Sequence, residues 1–563
     1  MGDVDRLVSS KPMSNREEVS DSSWGDAGPR RFAPPTSEQL GRTRGAILQW
    51  APYALYTAIC VSVLPAVSDG YPTADGVSYI SIAEHWAAGR FDLAVNGFWS
   101  PLLSLLLVPA ALVDAPMFLA GQLLMIATGL VTVSQVKRLM HALHYDTVAD
   151  DILVIGSTPL IAYPAVSLLT PDLLMGTLLL GYLVTMIDRR DRTPLRRGVV
   201  AGIWAGLAFL AKAYALPFVI AHLLITLFVR FIRRGDLRER RTFVTVTVLT
   251  LAVAVVPWAT LLSAKYGEMT VTTTGSYHVD VTARGSAGNA FGWAGILEPP
   301  NEFAITAWED PSLLPRSTSA GPAPVDSDAS DVLVNRIRRA IGSLEVAAIA
   351  GGLMGATGLL GTLSMLWWFV SRRPSRPVRD ASPDPFVDIV LAVAVYIGGL
   401  SLLVIETRYL WAPLLLTVPC ASWGLRRIHI RRPGFAVRAA SSIVAVGSIF
   451  GPAIGMSRVI DKAADQERVL AEFSDVLDDG DRVVTSRSAL SMMPGLCLAN
   501  RCQYWGATRA NTGQELDDQL RAADIDIYIA YTDDDGGAGD VTLRSTSTGG
   551  TPLTVLDRNE GAR

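Results

Sequence analysis

The stretch PLLSLLLVPAALV, residues 101–113, decides how many times this chain crosses a membrane. It is apolar enough to enter a bilayer, but it has only thirteen residues, with proline at its start and again at position 109. A helix that spans the hydrocarbon core needs about 20 residues, and an interior proline removes a backbone donor. Longer apolar runs lie at 46–68, 116–136, 152–170, 173–187, 199–211, 215–232, 242–263, 344–370, 386–405, 409–425 and 436–453. Counting 101–113 as a crossing flips the side of everything after it. Without it, and with the N-terminus inside, the basic sites all face the cytoplasm: Lys137 and Arg138, RRDRTPLRR (189–197), RFIRRGDLRERR (230–241), RRPSRPVR (372–379) and RRIHIRR (426–432). That distribution obeys the positive-inside rule. With a twelfth crossing each cluster turns outward, unless the N-terminal tail is exported instead. The sequence therefore predicts an interfacial or re-entrant helix at 101–113 and an all-α polytopic membrane protein of about 11 transmembrane helices.

Composition agrees. Half of the 563 residues are hydrophobic, and the formal charge of -4 is carried with the arginines in short clusters between apolar runs. A nucleic-acid partner wants a basic stripe instead. Residues 1–45, rich in Ser, Pro, Gly and charge, read as a disordered cytoplasmic tail, and no signal-peptide cleavage pattern precedes the first run, which should stay as an anchor. Residues 46–455 make the membrane core, with a first external loop at 69–115 and a large one at 264–343. In the latter, STSAGPAPVDSDAS (317–330) has the composition of a mobile linker.

From 456 to 563 the composition shifts to that of a small external α/β domain with a flexible end. RVVTSRS (482–488) and IDIYIAYT (525–532) read as buried strands. TGQELDDQLRAAD (512–524) reads as an amphipathic helix opened by Thr512 and Glu515 at capping-box spacing. Cys60 and Cys420 sit in apolar runs and read as packing residues. Cys497 and Cys502, in CLANRC, are a disulfide candidate if the domain faces an oxidising compartment.

Candidate chemistry sits at span ends. In TADGVSYISIAEHWAAGRF (73–91), helical spacing aligns Asp75, Ser78, Ser81 and His85 on one stripe, with Tyr79, Ile82, Ala83 and Trp86 opposite, the pattern of a helix lying in the interface. Asp75 suits an N-cap and equally a general base for an incoming hydroxyl. Asp172, in LLTPDLLMG, suits a helix start after Pro171 and equally a second acid held at the membrane surface. Lys212, in FLAKAYALPF, can snorkel or hold a lipid phosphate. Arg408, in IETRYLWAP, is the better phosphate ligand because its fork donates two parallel bonds, with Glu406 beside it to orient or neutralise it. The small residues of GGLMGATGLLG and GVVAGIWAG recur at helix-packing spacing rather than as a dinucleotide loop. Walker, nucleophile-elbow and CxxC patterns are absent. The six histidines are scattered and make no zinc pattern, so no cofactor is certain and a divalent metal stays open.

These segments, in this order, resemble the polytopic C-type (GT-C) glycosyltransferases, the superfamily of the protein O-mannosyltransferases and aminoarabinose transferases. The first external loop is similar to that family's D-x-x-x-Y-x-x-x-A juxtamembrane helix, following Gly and second, Pro-Leu juxtamembrane helix, through Asp75, Tyr79, Ala83, Gly89, Pro101 and Leu102. LTPDLLMGTLL is similar to its second acidic turn, GLAFLAKAYALPF to its Gly-x-x-x-Lys/Arg turn, and ETRYLWAPLLL to its Arg-Tyr-x-x-x-Pro segment. The resemblance runs from about 46 to 453 and implies two juxtamembrane helices in the first external loop, an inside N-terminus and an outside C-terminus. It also implies a polyprenyl-phosphate sugar donor, Asp75 and Asp172 as catalytic acids, and Arg408 with Lys212 on the donor phosphate. Gly76 stands where the O-mannosyltransferases have Glu, so neither mannose nor a protein acceptor is inherited. His85, His278, Trp308 and Glu309, with Asp310 beside them, are candidates for the acceptor side, and a structured loop explains them as well.

The expected activity is hexosyl or pentosyl transfer from a lipid-linked donor to an envelope glycan, lipid or protein at the external face of a bacterial plasma membrane. The competing readings are a transporter or flippase of an envelope lipid, which favours repeats and polar groups at mid-membrane, and a non-catalytic envelope assembly protein.

Overall fold

The computed structural model describes residues 37–188, 193–232, 237–275, 295–313, 338, 341–342, 351–371, 385–401, 406–427, 433–486, 491–508, 513–531, 543–548 and 551–557. Residues Met1–Ile47 segregate as a unit apart from Leu48–Arg563. The helices are α1 (Ser37–Val67), α2 (Ala74–Ala87), α3 (Phe91–Ala94), α4 (Leu102–Ala111), α5 (Met117–Ala142), α6 (Val148–Ser167), α7 (Asp172–Ile187), α8 (Pro194–Ala211), α9 (Ala215–Ile232) and α10 (Leu237–Tyr266). They continue with α11 (Gly352–Ser371), α12 (Pro385–Leu400), α13 (Trp411–Arg427), α14 (Pro433–Gly447), α15 (Phe450–Phe473), α16 (Met493–Asn500) and α17 (Gly513–Ala522). Among the described residues, five segments are long and apolar enough to cross a membrane: Ile47–Val67, Met117–Ala142, Pro194–Ala211, Arg238–Tyr266 and Gly434–Phe473. The chain is a multi-pass membrane protein.

At its centre, α7 is apolar all round and buried at every position. A helix of that composition belongs inside a bundle rather than against lipid, so its 16 residues need no match to the bilayer. Its neighbours approach closely where the sequence is small. Gly202 of α8 faces the Thr247 carbonyl of α10, where a Cβ would sit 2.7 Å from that oxygen, and Gly206 one turn on would meet Ala254 at 2.9 Å. The small-residue spacing of GVVAGIWAG is thus used for packing, as expected.

The segment at 101–113 forms the short helix α4, about 15 Å long at 1.5 Å per residue. Leu103, Ser104 and Leu107 are buried while Leu105, Leu106 and Leu112 stay exposed. The Ser104 hydroxyl donates to the Tyr79 carbonyl at 2.8 Å, tying α4 to α2. In α2 itself one expectation is corrected. The helix does not lie with one face open to an interface, because nine of its residues, from both stripes, are buried. The polar stripe is covered by the segment around Trp308, whose carbonyl lies 3.4 Å from the Ser78 hydroxyl and whose neighbour Glu309 meets Ser81 and His85.

Two boundaries also shift. Helix α1 starts at Ser37, ahead of the expected end of the tail at 45, and residues 1–36 lie outside the described part. Helix α15 runs unbroken across the expected core boundary at 455.

The C-terminal part holds a six-stranded sheet made of β1 (Gly295–Ile296), β2 (Arg482–Thr485), β3 (Gln503–Ala507), β4 (Ile527–Tyr531), β5 (Leu543–Thr548) and β6 (Thr551–Asp557), in the order β1-β3-β2-β4-β6-β5. β2 pairs in parallel with β3 and with β4. Parallel neighbours need crossover connections, and α16 and α17 supply them. Alternation sends Val483, Ile527 and Ile529 to one face, against Phe473, Met493 and Leu496, and sends Val484, Tyr528 and Ala530 to the other, against Leu516 and Leu520. The strands expected at 482–488 and 525–532 and the helix from 512 are present, although Thr512 lies outside the described residues. The edge strand β1 comes from the large loop, so that loop is joined to the sheet. The proposed disulfide is not formed: Cys497 and Cys502 are buried free thiols. Their side chains touch, and burial first, then the Cys502 contact, holds the Cys497 thiol well above its ordinary range.

Candidate active site

Four segments converge at one end of the bundle. Asp75 lies in the first turn of α2, whose N-cap is Thr73, so the N-cap role considered for Asp75 is not taken. Its carboxylate is free for tertiary partners. Oδ2 accepts from the Arg408 guanidinium, and Oδ1 accepts from the Trp308 indole N–H at 3.2 Å. Arg408 belongs to the short 3-10 turn Thr407–Leu410 that leads into α13. Burial opposes its charge, yet the Asp75 carboxylate, with Asp172 and Glu406 behind it, raises its pKa above the ordinary arginine value.

Asp172 opens α7 after Pro171, the helix start expected from LTPDLL. Its Oδ1 accepts from the Lys212 ammonium at the C-cap of α8, while its buried Oδ2 has no hydrogen-bond partner among the described residues. The Tyr409 ring joins the two ion pairs, with Lys212 Nζ 3.9 Å from its centroid and Arg408 Cζ 5.4 Å from it. Tyr79, buried beneath, is held neutral: burial first, then Asp75 and Asp172, push its phenol far above its usual range. Asp75, Asp172, Lys212 and Arg408, scattered over more than 330 positions of sequence, form one continuous polar cluster.

The acceptor-side candidates fall into two groups. Trp308 is buried on Asp75, within an aromatic set in which Trp99 and Phe98 meet it edge-on at 5.6 Å and 5.1 Å. Its carbonyl accepts from the Trp99 indole at 3.0 Å. Glu309 and His85 instead engage each other, Nε2 to Oε1 at 3.0 Å, both buried. Glu309 also accepts from the Ser81 hydroxyl and from Asn301 Nδ2 at 3.1 Å. Three donors hold this buried carboxylate and fasten the loop to α2. Asp310 is likewise occupied by the Tyr266 hydroxyl at 2.9 Å and Lys265 at 3.5 Å. His278 lies outside the described residues.

Sequence reading missed the residues that hold this loop. Asn96 accepts from the backbone N–H of Phe98 and of Trp99, both at 2.9 Å, and donates to the Glu309 carbonyl at 2.7 Å. Asn followed two residues later by a paired N–H is a local turn motif, and that was the signal available. From the sheet, Gln503 Nε2 lies 3.2 to 3.3 Å from the carbonyls of Asn301, Glu302 and Ala304, and the Tyr504 N–H donates to Ile305 at 2.7 Å. Nothing local in QYWGA marks that contact. Among the described residues no cluster of three or more His, Cys, Asp or Glu is arranged to hold a metal ion.

No protein-family profile matches the chain, and no characterised protein matches it in sequence. Solved structures do match. ArnT from Cupriavidus metallidurans, in its crystal structure bound to undecaprenyl phosphate, aligns over 90% of this chain and 97% of its own, with a TM-score of 0.56 at 12% identity. The archaeal oligosaccharyltransferase AglB from Archaeoglobus fulgidus, in complex with an inhibitory peptide and a dolichol-phosphate, aligns over 86% of this chain and 70% of its own, with a TM-score of 0.52 at 11% identity. At these identities the likeness is one of fold. The chain has the fold of the GT-C glycosyltransferases.

Proposed function

We propose that this protein is an integral membrane glycosyltransferase that moves a sugar from a polyprenyl-phosphate donor to a cell-envelope acceptor on the external face of a bacterial plasma membrane. About eleven crossings and a cytoplasmic N-terminus put the site and the sheet domain on that face. The single observation that carries the reading is the meeting of Arg408 with Asp75, beside the Lys212 and Asp172 pair, at one end of an apolar bundle. An anion-binding fork and a carboxylate in contact are the two groups that phosphate departure and hydroxyl activation require. The fold shared with ArnT and AglB, whose structures carry lipid phosphates, supports a donor of that class.

In the resting arrangement Asp75 and Arg408 neutralise each other. A donor phosphate competes for the guanidinium and, in taking it, frees Oδ2 of Asp75. Trp308 keeps the carboxylate aimed through Oδ1. The acceptor oxygen then bonds to the anomeric carbon as its proton passes to Asp75, and the bond from that carbon to the phosphate oxygen breaks. Charge grows on the departing phosphate, so contacts from Arg408 and Lys212 strengthen towards the transition state and lower the barrier. The unpaired Oδ2 of Asp172 offers an acceptor for a sugar hydroxyl. A transporter gains nothing from a carboxylate freed by phosphate binding.

The test is sugar transfer from a polyprenyl-phosphate monosaccharide in proteoliposomes. The wild-type chain is expected to turn over and Asp75→Asn to lose a factor of about 10² to 10⁴, the usual worth of a general base. Full activity in Asp75→Asn would remove Asp75 from the chemistry.

A further inference from the structure

The mechanism above leaves one acid of the cluster without a task. Glu406 Oε1 accepts from Nη2 of Arg408 at 3.1 Å, and Oε2 lies 2.8 Å from Nε, whose N–H has no hydrogen-bond partner among the described residues. That edge of a guanidinium is the one that clasps two oxygens of a phosphate in parallel. A donor phosphate that takes Nη1 from Asp75 would share Nη2 with Glu406, so Glu406 borders the phosphate position. Unlike Asp75 and Asp172 it is 47% exposed, and its further hydrogen bond comes from the Tyr409 hydroxyl at 3.1 Å. It is the carboxylate most easily swung away. With it in place, three carboxylates (Asp75, Asp172 and Glu406) face two cations (Lys212 and Arg408).

We propose that Glu406 sets the charge selectivity of the headgroup site, admitting a singly charged phosphodiester and disfavouring phosphates that carry more charge, the reaction's own lipid product included. The proposal rests on the glycosyltransferase reading and adds to it the residue that discriminates between phosphates of different charge. Before transfer the lipid phosphate is a diester with one negative charge. When the acceptor oxygen bonds to the anomeric carbon, the electron pair of the broken bond stays on the phosphate and the proton goes to Asp75. The lipid is now a monoester carrying about -1.5 to -2 at neutral pH. Its repulsion from Glu406 rises at that moment, and the carboxylate returning to the Arg408 fork drives the product out. A pyrophosphate-linked donor brings the extra charge on arrival and is refused for the same reason.

The test uses the full chain in nanodiscs with two probes, undecaprenyl phosphate as the monoester and its methyl ester as the singly charged diester. The wild-type protein is expected to bind the methyl ester more tightly. In Glu406→Gln the monoester should tighten about tenfold and the methyl ester about threefold, because the removed repulsion scales with ligand charge. Glu406→Asp, which keeps the charge, should keep the wild-type preference. An equal change for both probes, or none, in Glu406→Gln overturns the role of Glu406. Arg408→Ala separates this from the reading beneath it. If that variant weakens both probes while Glu406→Gln changes neither, the phosphate site stands and the selectivity proposal falls. If Arg408→Ala binds both as the wild type does, the phosphate site itself is refuted.

Discussion

The two ends of α13 carry the same chemical pair and use it differently. At its C-terminal end Arg426 meets Asp150, which also accepts from the Thr147 N–H at 2.9 Å, the Thr147 hydroxyl at 2.6 Å and the Ser422 hydroxyl at 2.5 Å. That carboxylate is 3% exposed and both its oxygens are filled. It completes the capping box of α6 and locks α6 to α13. At the N-terminal end Arg408 meets Asp75, but there, among the described residues, the neighbouring Asp172 keeps an unpartnered oxygen and Arg408 an unpartnered Nε–H, while half-exposed Glu406 accepts from Nη2 alone. An ion pair that holds a fold has its lone pairs satisfied. One built for a ligand leaves acceptors unfilled and partners displaceable.

Removing each arginine sharpens this contrast most. Arg408→Ala should cost about 10² to 10³ in sugar transfer, the scale of one lost donor at a developing oxyanion, with little change in melting temperature. Arg426→Ala should do the opposite: a loss of about 1 to 3 kcal/mol in stability, since Asp150 stays buried with fewer partners, and unchanged turnover per folded molecule. Matching losses of activity in the two variants would erase the distinction between the ends.

A smaller effect is expected at the loop. Glu309→Gln weakens the bonds from Ser81 and His85, and because Trp308 precedes it, transfer should fall by about tenfold through misplacement of Asp75, an effect of the size one lost positioning hydrogen bond produces. The readout is kcat at saturating donor, with donor affinity retained. A fall in donor affinity alone would place Glu309 on the phosphate side.

The smallest effect concerns the sheet domain. The Cys497 thiol is held above its usual value of 9.0 in the folded chain. Below about pH 9 both states keep the proton and stability is level. As pH rises further the unfolded chain ionises while the folded one does not, so the unfolded state gains and stability falls. Urea titrations at pH 8 and pH 10 should show the lower midpoint at pH 10, and Cys497→Ala should narrow that difference. An unchanged difference would put the pH effect elsewhere.

Much of this architecture was legible because bilayers impose simple rules. Run length and arginine placement isolated 101–113 as too short to cross, and α4 is short. Asp75, Asp172, Lys212 and Arg408 stood out because charge is costly beside apolar runs, and all four meet. The loop at 301–313 was less legible. His85 and Glu309 look like functional groups in sequence, but their mutual burial depends on how residues 301–313 fold back over α2, a long-range contact with no local signature. β1, β3 and the β5–β6 pair, which occupies the end expected to be flexible, were missed for a related reason: a two-residue edge strand, the mixed QYWGA and the polar LRSTST have too little apolar periodicity to declare themselves. The disulfide reading rested on spacing and compartment, while the two thiols are accommodated unbonded within the apolar core between α16 and the sheet.

On this mechanism Arg408 exchanges Asp75 for a lipid phosphate. A cryo-EM structure of the full chain in nanodiscs with undecaprenyl phosphate tests it most directly. Phosphate oxygens are expected within hydrogen-bond distance of Arg408 and Lys212, with the Asp75 carboxylate released from the guanidinium and still held by Trp308. A phosphate bound elsewhere, with Arg408 unmoved on Asp75, would contradict it.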